Sequence, residues 1–189
     1  MMMKKTLTIL FLTLLFAVSP AVETQAAGGA DFVARMMKQI GAAPATYSES
    51  DYVQTTVSPK MMQSVIEKLT SGEMTSAGQD AEDVEIMTRL LRDVKSLRVF
   101  MTTANAPRYR KLADRLLRDN KNRYKMFASE PAGQSANTTR IWTRKSGNRV
   151  VEIIAIVDEH GQTAQMRILN FTGNFSDDFV GLLGKLNDK

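Results

Sequence analysis

Residues 139–172 constrain the fold of this 189-residue chain more than any other segment. They contain three apolar runs of strand length, separated by the turn-forming pairs Ser146-Gly147 and His160-Gly161. Short glycine-containing loops between such runs are typical of β-hairpins. The segment is therefore predicted to form a three-stranded antiparallel meander.

The register of this meander decides which side chains share a face, because neighbours along a strand point to opposite sides. If both loops have two residues, or both have four, Trp142 lies opposite Val151. One face is then apolar throughout its centre and is the predicted core face: Trp142, Val151, Ile153, Ala155, Val157, Ala164, Met166 and Ile168. The other face is mixed: Ile141, Thr143, Val150, Glu152, Ile154, Ile156, Gln165, Arg167, Leu169 and Phe171.

The mixed face supplies the first candidate site. Its apolar side chains are too numerous to be left in water, and exposed apolar patches usually mark an interaction site. Either another segment of the chain or a partner is expected to cover them, with Glu152 and Arg167 close enough to orient the contact. The predicted ligand or partner surface consists of Ile141, Glu152, Ile154, Ile156, Arg167, Leu169 and Phe171.

The rest of the chain shows helical periodicity more often than strand alternation. Apolar residues at intervals of three and four predict amphipathic helices near residues 32–41, 59–69, 82–93, 108–118 and 176–186. Strands are predicted at 51–57, 97–102 and 124–128. The predicted fold class is a single α+β domain with a largely antiparallel sheet and with amphipathic helices packed mainly on one face.

The amino terminus has the pattern of a secretory signal peptide. Lys4 and Lys5 precede an apolar run at residues 7–18, and the small residues Ala26 and Ala27 follow. Twelve helical residues span roughly 18 Å, less than the ~30 Å hydrocarbon core, so no membrane span is expected. We predict a signal peptide at 1–27, a mature domain at 28–189, and a secreted or periplasmic location.

Composition excludes several classes of active site. The chain has no cysteine and one histidine, which rules out a cysteine nucleophile, a thiolate metal site and a multi-histidine metal site. Asp158, Glu159 and His160 could in principle bind a metal, but consecutive turn residues point in different directions. His160 is better explained as a turn residue than as an acid or base. No catalytic residue, metal site or cofactor is predicted.

A second candidate site is a basic stretch. Residues 108–125 contain eight cationic and two acidic side chains, which suggests an anionic envelope polymer or nucleic acid as a partner. The competing explanation is an ordinary solvated helix face, and a secretory signal disfavours nucleic acid. The candidate anion-binding residues share one stripe of the predicted helix: Arg108, Lys111, Arg115 and Arg118.

Arg140, Trp142 and Arg144 alternate along one strand, so their side chains share a face. An aromatic ring flanked by guanidinium groups could stack on a base, a sugar or a peptide. Packing of Trp142 in the core, with the arginine stems along its edge, is the simpler explanation.

Several local phrases are similar to those of a known family. They are Leu97-Arg98-Val99-Phe100 after an amphipathic helix, Tyr109 with Leu112, Tyr124-Lys125-Met126-Phe127, the apolar hairpin around Ile141 and Ile153, and the run from Leu169 to Phe175. In these the chain resembles the secreted Bacteroidetes family called domain of unknown function 4252. That family has no established activity, so the resemblance implies no catalytic residues. Many members carry a lipoprotein signal, whose cysteine this chain lacks.

These observations favour a non-enzymatic, secreted or envelope accessory or binding protein, whose partner is an unidentified envelope protein or ligand. One alternative is a small carboxylate-dependent hydrolase, which would need two acids converging in a deep pocket. The other is an anion-binding module that uses the basic helix. The sequence does not determine the oligomeric state.

Overall fold

The computed structural model of the chain describes residues 31–72, 81–130, 137–159 and 165–176. The predicted signal peptide, the turn at His160-Gly161, Ala164 and the last predicted helix lie outside these residues, as does most of the loop predicted after residue 70. The helices are α1 Phe32–Gly41, α2 Pro59–Thr70, α3 Ala81–Asp93 and α4 Ala106–Asp119, with a short 3-10 helix at Glu49–Asp51. The strands are β1 Tyr52–Val57, β2 Val94–Thr102, β3 Tyr124–Glu130, β4 Asn137–Ser146, β5 Arg149–Glu159 and β6 Gln165–Phe175.

The helix starts follow the local sequence. Asp31 caps α1, its carboxylate accepting a hydrogen bond from the Ala34 amide at 2.8 Å. Ser58 caps α2 in the same way and is followed by Pro59 in the first turn, where proline is favoured. None of the described helices is both long and apolar enough to cross a membrane.

All six strands form one antiparallel sheet in the order β1-β2-β6-β5-β4-β3. The predicted α+β class, the antiparallel sheet and the C-terminal meander are confirmed. The prediction that the helices pack mainly on one face is wrong. We call the side covered by α1 and α4 the front face and the side covered by α2 and α3 the back face. The physical reason is the unbroken apolar run from Ile153 to Val157, since a strand that is apolar on both sides must be covered on both.

The predicted register of the meander is also wrong. Gly147 and Asn148 form the first turn, with Gly147 at φ +60°, one residue later than expected. A bulge at Val151 adds a further shift, so that Trp142 lies opposite Ile154 and not Val151. The register between β5 and β6 also differs from the predicted one by an odd number of residues, since Val157 lies opposite Arg167. The two odd offsets cancel between β4 and β6, so only the β5 residues after the bulge exchange faces.

Candidate functional site

Five of the eight cations of the basic stretch lie on α4, whose two sides differ sharply in polarity. The front-face core receives Tyr109, Leu112, Ala113 and Leu117, which are buried. The opposite side of α4 carries the predicted stripe, and all four of its cations are exposed: Arg108, Lys111, Arg115 and Arg118. The predicted exposure of this stripe is therefore confirmed. We call these four residues the basic face.

A shallow depression of about 380 Å³ lies between α4 and the segment that precedes β1. Its lining contains three cations of the basic face together with one aromatic ring, one carboxylate and one leucine: Tyr47, Lys111, Leu112, Asp114, Arg115 and Arg118. The depression is open to solvent and mostly bordered by positive charge, which suits an extended anionic ligand better than a small enclosed substrate.

Contacts at the start of α4 hold this depression in place. Arg108 donates a hydrogen bond to the Thr46 carbonyl at 2.5 Å. The Tyr109 hydroxyl donates to the Ser48 carbonyl at 3.1 Å, and the Tyr47 and Tyr109 rings lie 5.3 Å apart. The segment that borders the depression is thus tied to the helix that carries the cations.

Two other arginines of the same region, one on α4 and one on β4, form ion pairs with carboxylates. Arg110 of α4 contacts buried Asp158 at 2.7 Å. Arg140 of β4 contacts Asp158 at 3.1 Å and Asp114 at 2.7 Å. In the part of the chain that the structure describes, the four residues of the basic face make no salt bridge. The fold therefore separates arginines that hold the domain together from cations that face solvent.

A second carboxylate, Glu152, is 0% exposed in the middle of the front face. Arg144 donates to one of its oxygens at 2.6 Å, and the Tyr124 hydroxyl lies 3.4 Å from the same atom. The other oxygen accepts from the Asn170 amide at 3.0 Å and from the Phe32 backbone N–H at 2.6 Å. We call Glu152, Arg144, Tyr124 and Asn170 the buried polar cluster.

The buried polar cluster receives the first turn of α1. The N–H groups at the start of a helix have no partners within it, and they favour nearby negative charge. Phe32 donates to Glu152, Val33 donates to the Asn170 side-chain oxygen at 3.0 Å, and Ala34 donates to Asp31. Asp31 in turn pairs with Arg98 at 2.7 Å. These contacts are structural, because the interacting groups satisfy one another and are buried.

Sequence reasoning did not identify this cluster. It placed Glu152 on a partner surface and considered Arg144 only as a flank of Trp142. The one available signal was a carboxylate within the apolar run of β5, since a buried charge requires a partner. The identity of that partner depends on strand register and on the position of α1.

The Tyr124 hydroxyl gives this cluster a measurable pH dependence. Burial, and then the negative charge of Glu152, raise its pKa to about 12 from the ordinary value of 10.0. Above pH 10 the unfolded chain releases the Tyr124 proton before the folded protein does. The stabilising contribution of the protonated Tyr124 hydroxyl is therefore full below pH 10 and is lost between about pH 10 and 12. We expect the free energy of unfolding of Tyr124→Phe to fall less steeply than that of the wild type over this range. Urea melts of both proteins at several pH values would measure this difference in slope. Parallel plots of unfolding free energy against pH would contradict the role given to the Tyr124 hydroxyl.

The seven residues of the predicted partner surface do not form one surface. Ile154, Ile156 and Glu152 lie on the front face, whereas Ile141, Leu169 and Phe171 lie on the back face. These six are buried, and the half-buried Arg167 lies opposite Val157. The sequence left open whether another segment of the chain or a partner covers these apolar residues. In the structure the chain's own helices cover them.

Trp142 packs against the front-face core and is half-buried, which confirms the packing explanation although its cross-strand neighbour differs. Its flanking arginines, Arg140 and Arg144, are held by Asp114, Asp158 and Glu152. The two guanidinium groups therefore serve internal ion pairs rather than an open stacking platform.

Two of the buried acids, Glu152 and Asp158, do not converge as a paired-acid hydrolase would require. Glu152 and Asp158 lie six residues apart on one strand, a separation of roughly 20 Å. Each contacts an arginine at 2.6–2.7 Å. Among the described residues no group of three acidic or histidine side chains could hold a metal ion. Glu152 and Asp158 therefore do not form a converging pair of carboxylic acids.

The family model described as Domain of unknown function (DUF4252) matches residues 47–182. The chain belongs to this family. No curated protein and no solved structure matches the chain. The matched region of this DUF4252 protein contains the basic face and the buried polar cluster but not α1, whose first turn the cluster binds.

Proposed function

We propose that this DUF4252 protein is a non-enzymatic binding protein of the bacterial envelope, and that the basic face of α4 binds an anionic polymer. The signal-peptide pattern at residues 1–27 and the resemblance to a secreted Bacteroidetes family support a location outside the cytoplasm. An accessory role in the envelope fits a domain whose buried acids Asp31, Glu152 and Asp158 pair with arginines of the fold.

The observation that carries the proposal is the contrast between paired and unpaired cations. Arg98, Arg110, Arg140 and Arg144 each contact a carboxylate at 2.6–2.7 Å. The basic face has no such contact with a described residue and lies beside a depression that is bordered by three of its four cations. Clustered positive charge at such a surface attracts polyanions at long range.

Three neutralising substitutions test the proposal together: Lys111→Gln, Arg115→Gln and Arg118→Gln. Immobilised polyphosphate serves as the probe, and binding of the full mature chain is measured as a function of salt concentration. We expect roughly a hundredfold weaker binding at low salt, taking about 1 kcal/mol for each cation near an anionic surface. The slope of log affinity against log salt should fall by about 3, one for each lost phosphate contact.

The matched control removes the same amount of charge elsewhere. Lys38, Lys68 and Lys95 are exposed on other elements, and their joint replacement by glutamine should leave most of the binding in place. Equal losses in both triple variants would mean that net charge alone drives binding. That result, or no binding of the wild type to polyphosphate, would overturn the proposal.

A further inference from the structure

The two edges of the sheet differ in how they are protected. Strand β3 carries Lys125 and is interrupted by a bulge at Phe127, two features that hinder pairing with another strand. Strand β1 has no charge, no proline and no bulge, and its register with β2 is continuous over six residues. Among the described elements, β1 makes its main contacts only with β2 and the 3-10 helix. Its outer edge therefore presents backbone groups suited to strand addition.

We propose that a second copy of this chain pairs with β1, so that two six-stranded sheets join in one antiparallel sheet of twelve strands. This inference does not rest on the proposed function. The two copies are related by a two-fold axis that is normal to the sheet and passes beside Gln54. Side chains that lie opposite each other across the junction then point to the same face of the sheet, as antiparallel pairing requires. In that register Gln54 lies opposite its own copy and Val53 lies opposite Thr55. Val53, which is 48% exposed, gains a neighbour on the back face.

The charges that flank β1 are complementary under the same symmetry. Glu49 lies just before β1 and Lys60 just after it, and both are exposed. Antiparallel pairing brings the start of one β1 beside the end of the other. Each Glu49 therefore approaches Lys60 of the second copy, and the contact occurs twice. This self-complementarity favours a second copy over an unrelated extended peptide.

The symmetry also has a consequence for the basic face. An axis normal to the sheet places both front faces on the same side, so the two α4 helices face the same way. Arg108 contacts Thr46 in the segment before β1, whereas the rest of α4 extends towards β4, where Asp114 contacts Arg140. A single polyanion could contact both copies, which would raise its apparent affinity.

Sedimentation equilibrium of the full mature chain over a range of concentrations tests the dimer. We expect a concentration-dependent dimer for the wild type and for the neutral control Gln54→Thr. Gln54→Lys sets two like charges opposite each other at the axis and should weaken dimerisation about tenfold. Thermal melts at low concentration, where the protein is monomeric, should be unchanged by this half-exposed substitution.

A charge reversal identifies the surface independently. Glu49→Lys and Lys60→Glu should each weaken the dimer, and the double variant Glu49→Lys/Lys60→Glu should restore it. A wild type that stays monomeric at about 100 μM would overturn the proposal. A dimer that persists unchanged in Gln54→Lys, or protection in a monomer of those β1 amides that point away from β2, would also overturn it. The last result would assign the edge to another segment of the chain.

Discussion

Ile154→Asp is expected to leave little folded protein under conditions where the wild type is stable. Ile154 is 0% exposed in β5, between Trp142 of β4 and Asn170 of β6. An aspartate there would lose the packing of the isoleucine and bury a carboxylate. The arginines on neighbouring positions of this face already pair with carboxylates: Arg98, Arg140 and Arg144. An unpaired buried charge costs several kcal/mol, a large part of a typical stability of about 5–15 kcal/mol.

Ile154→Val provides the matched control for this position. It removes one methylene without introducing charge and should cost about 0.5–1.5 kcal/mol. Urea melts followed by circular dichroism would measure both variants. A wild-type midpoint for Ile154→Asp would show that the front face is open to water at this strand, contrary to its cover by α1 and α4.

Glu152→Ala is expected to destabilise the domain by about 3–5 kcal/mol, the usual cost of removing one partner of a buried ion pair. The substitution leaves the Arg144 guanidinium and the Phe32 N–H without the acceptor that each contacts at 2.6 Å. Because Glu152 holds the first turn of α1, amide exchange at the start of that helix should rise more than exchange in α2. Glu152→Gln retains an acceptor oxygen but no charge, so its destabilisation should be smaller.

Glu67→Ala is the control for the loss of a glutamate. Glu67 is exposed on α2, where such changes are usually within about 0.5 kcal/mol. Chemical denaturation gives the stabilities, and hydrogen exchange read by mass spectrometry gives the local effect. If Glu152→Ala matched Glu67→Ala in stability, or loosened α1 no more than α2, the buried polar cluster would not be the anchor of α1.

The basic face shows how far a local pattern can predict a site. Its four cations recur at helical spacing on the side of α4 opposite Tyr109 and Leu112, and a helix must present such a stripe wherever it packs. Their exposure could therefore be predicted. The depression beside Tyr47 could not, because it depends on how the segment before β1 returns to the helix.

The amino-acid sequence alone determined the α+β class, the described helices to within a few residues of their ends, and the antiparallel meander, since these depend on periodicity and turn chemistry over short stretches. The faces of β5 were decided by the tertiary structure, because the bulge at Val151 shifts the pairing by one residue and so reverses the side to which each following residue points. The buried polar cluster depends on tertiary structure for a related reason. Phe32 and Glu152 are 120 residues apart, and no local pattern encodes a hydrogen bond between them. A buried Glu152 requires hydrogen-bond donors, and the packing of α1 on the completed sheet supplies one of them, the Phe32 N–H.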